Sequence, residues 1–180
     1  MNKASIKSSK TVLESSLFHV VQSELVYPSG RLVTHHDIYR QPTVSVFPIT
    51  PTYEIYLVTE YRYLLKKTML EAMAGFMNTN ETPLAAAKRE LQEETGLKAE
   101  QWELLRTIDM AASVIKAQSH LFLAKGLEEG IATPEEDEDI TLIKMPLEEA
   151  VQKVMTGEIT TSASTIGILL LDRLRKEKKL

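Results

Sequence analysis

The chain has 180 residues, and its content of 43% hydrophobic and 26% charged residues is ordinary for one globular domain that buries a core. Its formal net charge of −4 argues against non-specific binding to nucleic acid or to a membrane surface, so neither is expected as a partner. Because the sequence contains no cysteine, disulfides and thiolate metal sites are excluded.

The N-terminal part is predicted to consist of a lead-in and two strands. Residues 1–12 are polar, lack the apolar core of a signal peptide and are expected to be a mobile lead-in to a cytoplasmic protein. Alternating patterns favour strands over Phe18–Val26 and Arg31–Tyr39, joined by a turn at residues 27–30. Residues 13–42 are therefore predicted to be a region of antiparallel strands.

Two further strands are predicted before the middle of the chain. Val44–Phe47 and Glu54–Thr59 are apolar enough to be central strands of a sheet. Residues 64–69 favour a loop or a short strand, and they lead into the segment Glu71-Ala72-Met73-Ala74-Gly75.

A helix is predicted over Leu84–Thr95, where good helix formers continue without interruption. Thr82 suits the N-cap, and Pro83 suits the first helical position, where its missing N–H costs nothing. Gly96 fits the left-handed residue that ends a helix. The apolar stripe of this helix is predicted to consist of Leu84, Ala87 and Leu91.

Three glutamates of this helix, Glu90, Glu93 and Glu94, lie close together on one turn. Carboxylates in such a cluster repel each other unless a cation lies between them. Because no histidine or cysteine is nearby, the cluster is a set of oxygen ligands suited to Mg²⁺ or Mn²⁺ rather than to zinc. The alternative interpretation is a solvated helix face with salt bridges.

The remainder of the chain is predicted to alternate strands and helices. The predicted strands are Leu104–Met110, His120–Lys125 and Ile140–Met145, with a loop at 111–118. The predicted helices are Leu147–Met155, which ends at Gly157, and the amphipathic Ser162–Lys178. The residues expected to face inward on the last helix are Ile166, Leu169, Leu170 and Leu174. Mixed strands with a few helices predict an α/β sandwich.

The glycines, glutamates and arginine around the first helix follow a fixed order. The order is Gly75, five residues, Glu81, seven residues, Arg89-Glu90-Leu91, one residue, Glu93-Glu94, one residue and Gly96-Leu97. At every fixed position this resembles the signature of the Nudix hydrolases. The resemblance implies the Nudix fold, an α/β/α sandwich with a mixed sheet, in which residues 43–180 form the catalytic domain and residues 75–97 the Nudix box.

Shorter motifs outside the box resemble the ADP-ribose pyrophosphatase branch of that family. They are Glu60-Tyr61-Arg62-Tyr63, residues 70–75, Glu138-Asp139-Ile140 and the segments that begin at Met145 and at Gly157. The resemblance implies metal-dependent hydrolysis of a small molecule, a nucleoside diphosphate sugar, to a nucleoside monophosphate and a sugar phosphate. It also implies a homodimer formed through the N-terminal strands.

The resemblance also implies the metal ligands. They are the principal ligands Glu90 and Glu94, then Glu93, which is also counted as catalytic, and the carbonyl of Ala74. Together they would hold two or three Mg²⁺ or Mn²⁺ ions when substrate is bound. Glu90 is expected to face solvent and cation, Arg89 to be a structural clamp among the acids, and Glu81 to order the loop before the helix.

Residues outside the box are implied to bind substrate and to activate water. Arg62 and Arg40 match arginines that bind the substrate diphosphate in this branch, a task that suits a planar, always-charged guanidinium. Glu71 is assigned to the metal or diphosphate site. In the branch a glutamate from a late loop is the general base, and the register of the following strand places Glu138 there, with Glu136 as runner-up.

Several alternatives stay open at this point. The substrate could be GDP-mannose or another nucleoside diphosphate sugar, because the loop at 111–118 lacks the Ser-Pro-Gly of the branch. A protein of another class, a Nudix-fold nucleotide-binding protein without turnover, is disfavoured by the presence of all three box glutamates. The NADH and coenzyme A branches are disfavoured because their motifs are missing from the sequence.

Overall fold

The computed structural model describes residues 3–133 and 139–180. Its strands are β1 (Ser5–Glu14), β2 (Phe18–Val26), β3 (Leu32–Arg40), β4 (Thr43–Pro48), β5 (Glu54–Arg62), β6 (Lys67–Glu71), β7 (Met73–Phe76), β8 (Lys98–Asp109), β9 (Ile115–Lys116), β10 (Gln118–Glu128) and β11 (Thr141–Pro146). Its helices are α1 (Pro83–Thr95), α2 (Leu147–Thr156) and α3 (Ser162–Lys176). The chain forms two compact units, unit 1 from Met1–Pro42 with Asp109–Gln118 and unit 2 from Thr43–Ile108 with Ser119–Leu180.

Unit 1 contains a four-stranded sheet in the order β1-β2-β3-β9. The pairs β1–β2 and β2–β3 are antiparallel, and the short β9 pairs with β3 in parallel. The predicted strand Phe18–Val26 is present as β2, and the predicted Arg31–Tyr39 is present one residue later, as β3. In the turn between them Gly30 has a φ of 81°, a left-handed conformation that glycine adopts without a steric penalty.

The first strand of unit 1 differs from the sequence expectation. All ten residues of β1 are exposed. Its serine- and lysine-rich sequence shows no hydrophobic alternation from which a strand could be predicted. The strand exists through backbone pairing with β2, from Ser5 opposite Val26 to Glu14 opposite His19. The expectation of a mobile lead-in over residues 1–12 therefore does not hold from Ser5 onward.

The segment between β8 and β10 also differs from its predicted place. Residues 43–180 were expected to form one domain, and residues 111–118 to be a loop. Asp109–Gln118 instead groups with unit 1, where Ile38 donates its N–H to the carbonyl of Val114 at 2.8 Å. This backbone contact continues into the β3–β9 pairing, a long-range interaction that local sequence patterns do not reveal.

Unit 2 contains two sheets, one in the order β7-β4-β10-β8 and the other in the order β11-β5-β6. The first sheet is mixed, because β4 pairs in parallel with β10 and antiparallel with β7. Every residue of β4 is buried, as expected for a central strand. In the second sheet β5 pairs antiparallel with both β6 and β11.

The two faces of β4 belong to two separate hydrophobic clusters. Val44 and Val46 pack with Ala87 and Leu91 of α1 in one cluster. Phe47 packs in the other cluster, which also contains residues of α2 and α3. This alternation follows from the two-residue period of a strand. Helices therefore cover both faces of the mixed sheet, and the predicted α/β/α sandwich is confirmed. None of the helices in the described ranges is long and apolar enough to cross a membrane.

The buried face of α3 differs from the predicted stripe. Ile166 and Leu169, which were expected to face inward, are 37% and 38% exposed. The buried residues of the helix are Ser164, Gly167, Ile168, Leu171 and Asp172. A Cβ atom on Gly167 would lie 2.0 Å from the ring of Phe47, so the helix approaches β4 through its small residues rather than through its leucines. Leu84 of α1 is likewise 38% exposed, although it was predicted to be in the apolar stripe.

Candidate active site

The helix α1 begins and ends as its sequence predicts. The hydroxyl of Thr82 accepts a hydrogen bond from the N–H of Ala85, and Pro83 occupies the first helical turn. At the other end Gly96 has a φ of 74° and donates its N–H to the carbonyl of Gln92. These caps fix the two ends of the helix that carries the three glutamates.

Two of those glutamates are buried against strand β7. Glu94 accepts a hydrogen bond at 3.1 Å from the backbone N–H of Ala74. A Cβ atom on Gly75 would lie only 1.9 Å from Oε1 of Glu90, so only glycine leaves room for that carboxylate. Both glutamates are 7% exposed, and the expectation that Glu90 faces solvent is wrong. The close approach of β7 and α1 buries Glu90. The sequence pattern of the helix does not reveal this contact, because β7 is a separate segment of the chain.

Arg89 is bound by acidic residues on several sides. Its guanidinium makes five hydrogen bonds: two with Glu81 at 3.0 Å, one with Glu90 at 2.7 Å, one with Glu93 at 2.9 Å and one with the carbonyl of Phe76 at 2.9 Å. The hydrogen bonds that Arg89 donates to Glu81 are the main cause that raises the pKa of Arg89. An arginine has five N–H donors, and these bonds use all of them. Arg89 is therefore a structural clamp, as predicted.

The loop before α1 is held by Glu81, which binds Arg89. Glu81 accepts a hydrogen bond from the backbone N–H of Asn78 at 2.9 Å, in addition to those from Arg89. The hydrogen bonds from Arg89 are the main cause that holds the pKa of Glu81 below its ordinary value. Asn80 has a φ of 66°, the left-handed conformation that asparagine tolerates better than most residues.

A second arginine of unit 2 lies between two other carboxylates. Arg62, at the end of β5, donates from Nε to Glu71 at 2.6 Å and from Nη1 to Glu60 at 2.5 Å. The side chain of Glu71 is 8% exposed, that of Glu60 21% and that of Arg62 39%. The structure thus brings together Arg62 and Glu71, both predicted as substrate-binding residues. Sequence reasoning missed the role of Glu60, although its position two residues before Arg62 on a strand places both on one face.

The other predicted substrate arginine belongs to unit 1. Arg40 ends β3 and lines a cavity of about 630 Å³ together with Tyr39 and Lys116. The amino group of Lys116 lies 5.2 Å from the centre of the Tyr39 ring, and the ring of His19 stacks on the same tyrosine at 5.0 Å. Burial lowers the pKa of Arg40.

Glu138 and its runner-up Glu136 lie outside the described residues, which leave out positions 134–138. Just before that gap the backbone N–H of Thr133 donates to the carbonyl of Glu93 at 2.9 Å. This bond ties the described end of the segment to the last turn of α1.

The donor atoms around α1 and β7 fit a hard divalent cation. The carboxylates of Glu90, Glu93 and Glu94 are oxygen donors, and the backbone N–H of Ala74 holds Glu94 through a hydrogen bond. Within residues 3–133 and 139–180, no three Asp, Glu, His or Cys side chains are arranged to hold one ion together. Mg²⁺ needs only one or two protein carboxylates, since water and substrate phosphates supply its other ligands. The oxygen chemistry of these side chains is therefore compatible with a divalent cation.

The pattern of the NUDIX domain family matches residues 39–162. An ADP-ribose pyrophosphatase from Mycobacterium tuberculosis is 31% identical over 166 residues, which are 90% of this chain and 80% of that protein. A methanol dehydrogenase activator from Bacillus methanolicus is 36% identical over 147 residues, which are 80% of this chain and 79% of that protein.

The crystal structure of an ADP compounds hydrolase superimposes with a TM-score of 0.84 at 22% sequence identity, and it covers 100% of this chain and 98% of that one. At this identity the likeness concerns the fold. It extends over both units of the chain, including the N-terminal strands.

Proposed function

The chain belongs to the Nudix family and is a hydrolase, and from this premise we propose that it cleaves the pyrophosphate bond of nucleoside diphosphate sugars of the ADP-ribose type. The observation that carries the proposal is the junction of β7 and α1, where Glu90 and Glu94 are buried beside Gly75 and Ala74. A cluster of oxygen donors in this arrangement suits a diphosphate substrate, whose own oxygens complete the ligand set of a divalent cation.

In this proposal Glu90, Glu93, Glu94 and the carbonyl of Ala74 hold Mg²⁺, with Mn²⁺ as a substitute and two or three ions when substrate is bound. The bound cation would neutralise the diphosphate and stabilise the charge that develops on phosphorus and on the leaving oxygen. Held between β7 and α1, these donors are positioned before substrate arrives. They therefore need little rearrangement during the reaction.

The remaining residues would bind the diphosphate and activate water. Arg62 contributes guanidinium donors to the phosphate oxygens, and Glu71 orients Arg62 through its 2.6 Å ion pair. Arg40 of unit 1 is retained as a second proposed substrate-binding arginine. A water oxygen forms a bond to one phosphorus while the bond from that phosphorus to the bridging oxygen breaks. Glu138 accepts the proton of the water, and the products are a nucleoside monophosphate and a sugar phosphate. Glu93 is counted with Glu138 as a catalytic residue.

The activity is tested with a panel of nucleotide sugars that includes ADP-ribose and GDP-mannose, incubated with Mg²⁺. A phosphatase added to the reaction releases inorganic phosphate from the products but not from the intact diphosphates. We expect the highest turnover with ADP-ribose, whereas faster turnover of GDP-mannose would favour that alternative substrate. Binding of nucleotide sugars without any release of phosphate would support the rival class, a binding protein without turnover, and would contradict the proposal.

The general base is tested by substitution. A positioned base is worth about 10²–10⁴ in rate, so Glu138→Gln should lower kcat by that order while KM and Mg²⁺ binding stay nearly unchanged. Glu136→Gln is the matched control in the same acidic run and should keep most activity. If Glu136→Gln is the damaging change instead, the register is displaced by two residues. If neither substitution lowers kcat, this assignment of the base is wrong.

We also propose that the protein is a homodimer, with the strands of unit 1 at the interface. The support is β1, an edge strand of ten exposed residues whose outer backbone groups are open to pairing. Light scattering at micromolar concentration should give twice the chain mass of 20.3 kDa, and a mass near 20.3 kDa would contradict the proposal. The cytoplasmic location expected from the sequence stays a prediction, which cell fractionation would check.

A further inference from the structure

The hydrogen bonds of Arg62 leave neither edge of its guanidinium fully open to a ligand. An arginine binds phosphate with two parallel bonds, using either Nε with Nη2 or Nη1 with Nη2. Glu71 accepts from Nε at 2.6 Å, and Glu60 accepts from Nη1 at 2.5 Å. Each edge therefore has one nitrogen engaged by a carboxylate. A diphosphate that binds Arg62 through two bonds therefore approaches a nitrogen that already donates to one of these carboxylates.

The two carboxylates differ in how easily they can move. The side chain of Glu71 is 8% exposed, and β6 pairs this residue with Val58 of β5. The side chain of Glu60 is 21% exposed and lies on the same strand face as Arg62, two residues away. Glu60 is the more exposed of the two, so a ligand displaces it at a lower cost than Glu71, whose buried charge would lose its arginine partner.

We propose that Glu60 is a positioning residue that competes with the substrate diphosphate for the Nη1 edge of Arg62. The inference rests on the proposed function, and it adds a residue that weakens substrate binding at the same site. In the free protein Glu60 and Glu71 together hold the guanidinium in place. When substrate binds, its phosphate oxygens replace Glu60, and Glu71 keeps the Nε contact that orients Arg62.

The charges around Arg62 support this competition. One guanidinium with two carboxylates carries a net negative charge, and this charge opposes the approach of an anionic diphosphate. Glutamine at position 60 would keep the length of the side chain and an oxygen acceptor but would remove the negative charge. The remaining group would be neutral overall, and its Nη1 bond would be the weaker kind between a charged donor and a neutral acceptor.

The test compares Glu60→Gln and Glu60→Ala with the wild type. Partly exposed ion pairs of this kind correspond to factors of about two to five, so both variants should lower KM for the nucleotide sugar by about two- to fivefold. The kcat value should stay within about twofold, because Glu60 does not contact the reacting atoms. Glu54→Gln is the control, since it removes a charge from the same strand at an ion pair with Lys144 and should change neither constant.

A binding measurement separates this inference from the activity itself. Calorimetry with a substrate analogue that carries a methylene group in place of the bridging oxygen gives an affinity without turnover. We expect the same two- to fivefold tighter binding in both Glu60 variants, in the presence of Mg²⁺. Absence of turnover in the wild type would contradict the proposed function, whereas unchanged binding in both variants would overturn only the competition.

The direction of the change distinguishes competition from a purely structural role. If Glu60 only held Arg62 in position, both variants would bind the analogue more weakly and would raise KM. That result would overturn the proposal. Thermal unfolding of each variant checks that the fold is retained, and the neutral Glu60→Gln keeps the test valid even if Glu60→Ala unfolds.

Discussion

Two arginines of unit 2 bind carboxylates, yet they differ in how many of their N–H donors remain for a ligand. Arg89 uses all five of its N–H donors in bonds with three glutamates and one backbone carbonyl. Arg62 donates to Glu71 and Glu60, and these two bonds use two of its five donors. The first arginine is saturated by the protein itself, whereas the second retains donors with which it can contact a ligand.

This difference shows that residue type and a neighbouring acid do not determine what an arginine does. Arg89 lies on α1 among residues that its own helix and the preceding loop bring together. Arg62 lies at the exposed end of β5 and is 39% exposed, so water and ligands reach it. We therefore expect substitutions at Arg89 to affect stability first, and substitutions at Arg62 to affect substrate binding first.

The largest expected effect is the loss of kcat when Glu90, which contacts Arg89 and is buried beside Gly75, is replaced. Glu90→Gln keeps the shape and an oxygen acceptor for Arg89, but it removes a charge that would hold the cation. We expect kcat to fall by at least about 10²–10³, the scale of losing one group that stabilises transition-state charge. Thermal unfolding with and without Mg²⁺ gives the control. Wild type should be stabilised by the ion, since binding to the folded state raises its stability, and the variant much less.

An absence of any Mg²⁺ response in the wild type would count against the metal assignment. In that case the carboxylates of α1 would only bind Arg89, and the difference between the two arginines would have no consequence for activity. Normal turnover of Glu90→Gln would lead to the same conclusion by an independent route.

The next effect concerns stability at the saturated arginine. Arg89→Ala removes the five hydrogen bonds that Arg89 donates to three glutamates and the carbonyl of Phe76, at positions that are partly buried. We expect a loss of about 2–4 kcal/mol, which for a protein of this size lowers Tm by about 5–15 °C. Arg173→Ala is the control, because its ion pair with Glu177 is exposed and should contribute little. Equal Tm changes in the two variants would show that the clamp is not structural.

A smaller effect, on binding rather than stability, is expected at the other arginine. Arg62→Lys keeps the positive charge but loses the planar fork, so it cannot make two parallel bonds to phosphate. We expect KM to rise about tenfold with little change in Tm, as measured by steady-state kinetics and thermal unfolding. A large fall in Tm with an unchanged KM would mean that Arg62, like Arg89, is a structural residue.

The smallest effect is a pH dependence at the clamp. Hydrogen bonds from Arg89 lower the pKa of Glu81 from its ordinary value of 4.5 in the folded protein. The folded state therefore binds this proton less readily than the unfolded state. The resulting stability is present above about pH 4.5 and is lost as the pH falls through the lowered pKa.

The substitution that isolates this contribution is Glu81→Gln. The variant should be about 1 kcal/mol less stable than wild type at pH 7, and the difference should shrink below pH 4. Glu103→Gln, on the exposed face of β8, is the control and should show no such difference at either pH. A Tm difference for Glu81→Gln that does not depend on pH would show that the ionised form of Glu81 contributes nothing specific.

The sequence by itself determined the local architecture around α1 and the family of the chain. Thr82, Pro83 and Gly96 predicted the helix ends, because capping depends on residues within one or two turns. The spacing of the box glutamates placed them on one side of the helix, since a fixed rise and rotation per residue make that a local property. Strand β2 was predicted to the residue for the same reason, from its alternating pattern.

Only the tertiary structure decided how these side chains are used. The burial of Glu90 depends on its close approach to Gly75 of β7, and the exposure of Ile166 depends on Gly167 packing against Phe47. Strand β1 forms through its pairing with β2, although its own residues are all exposed. Contacts of this kind join residues that are distant in sequence. A local sequence pattern therefore does not show which side chains such contacts will bury or which hydrogen-bond donors they will use.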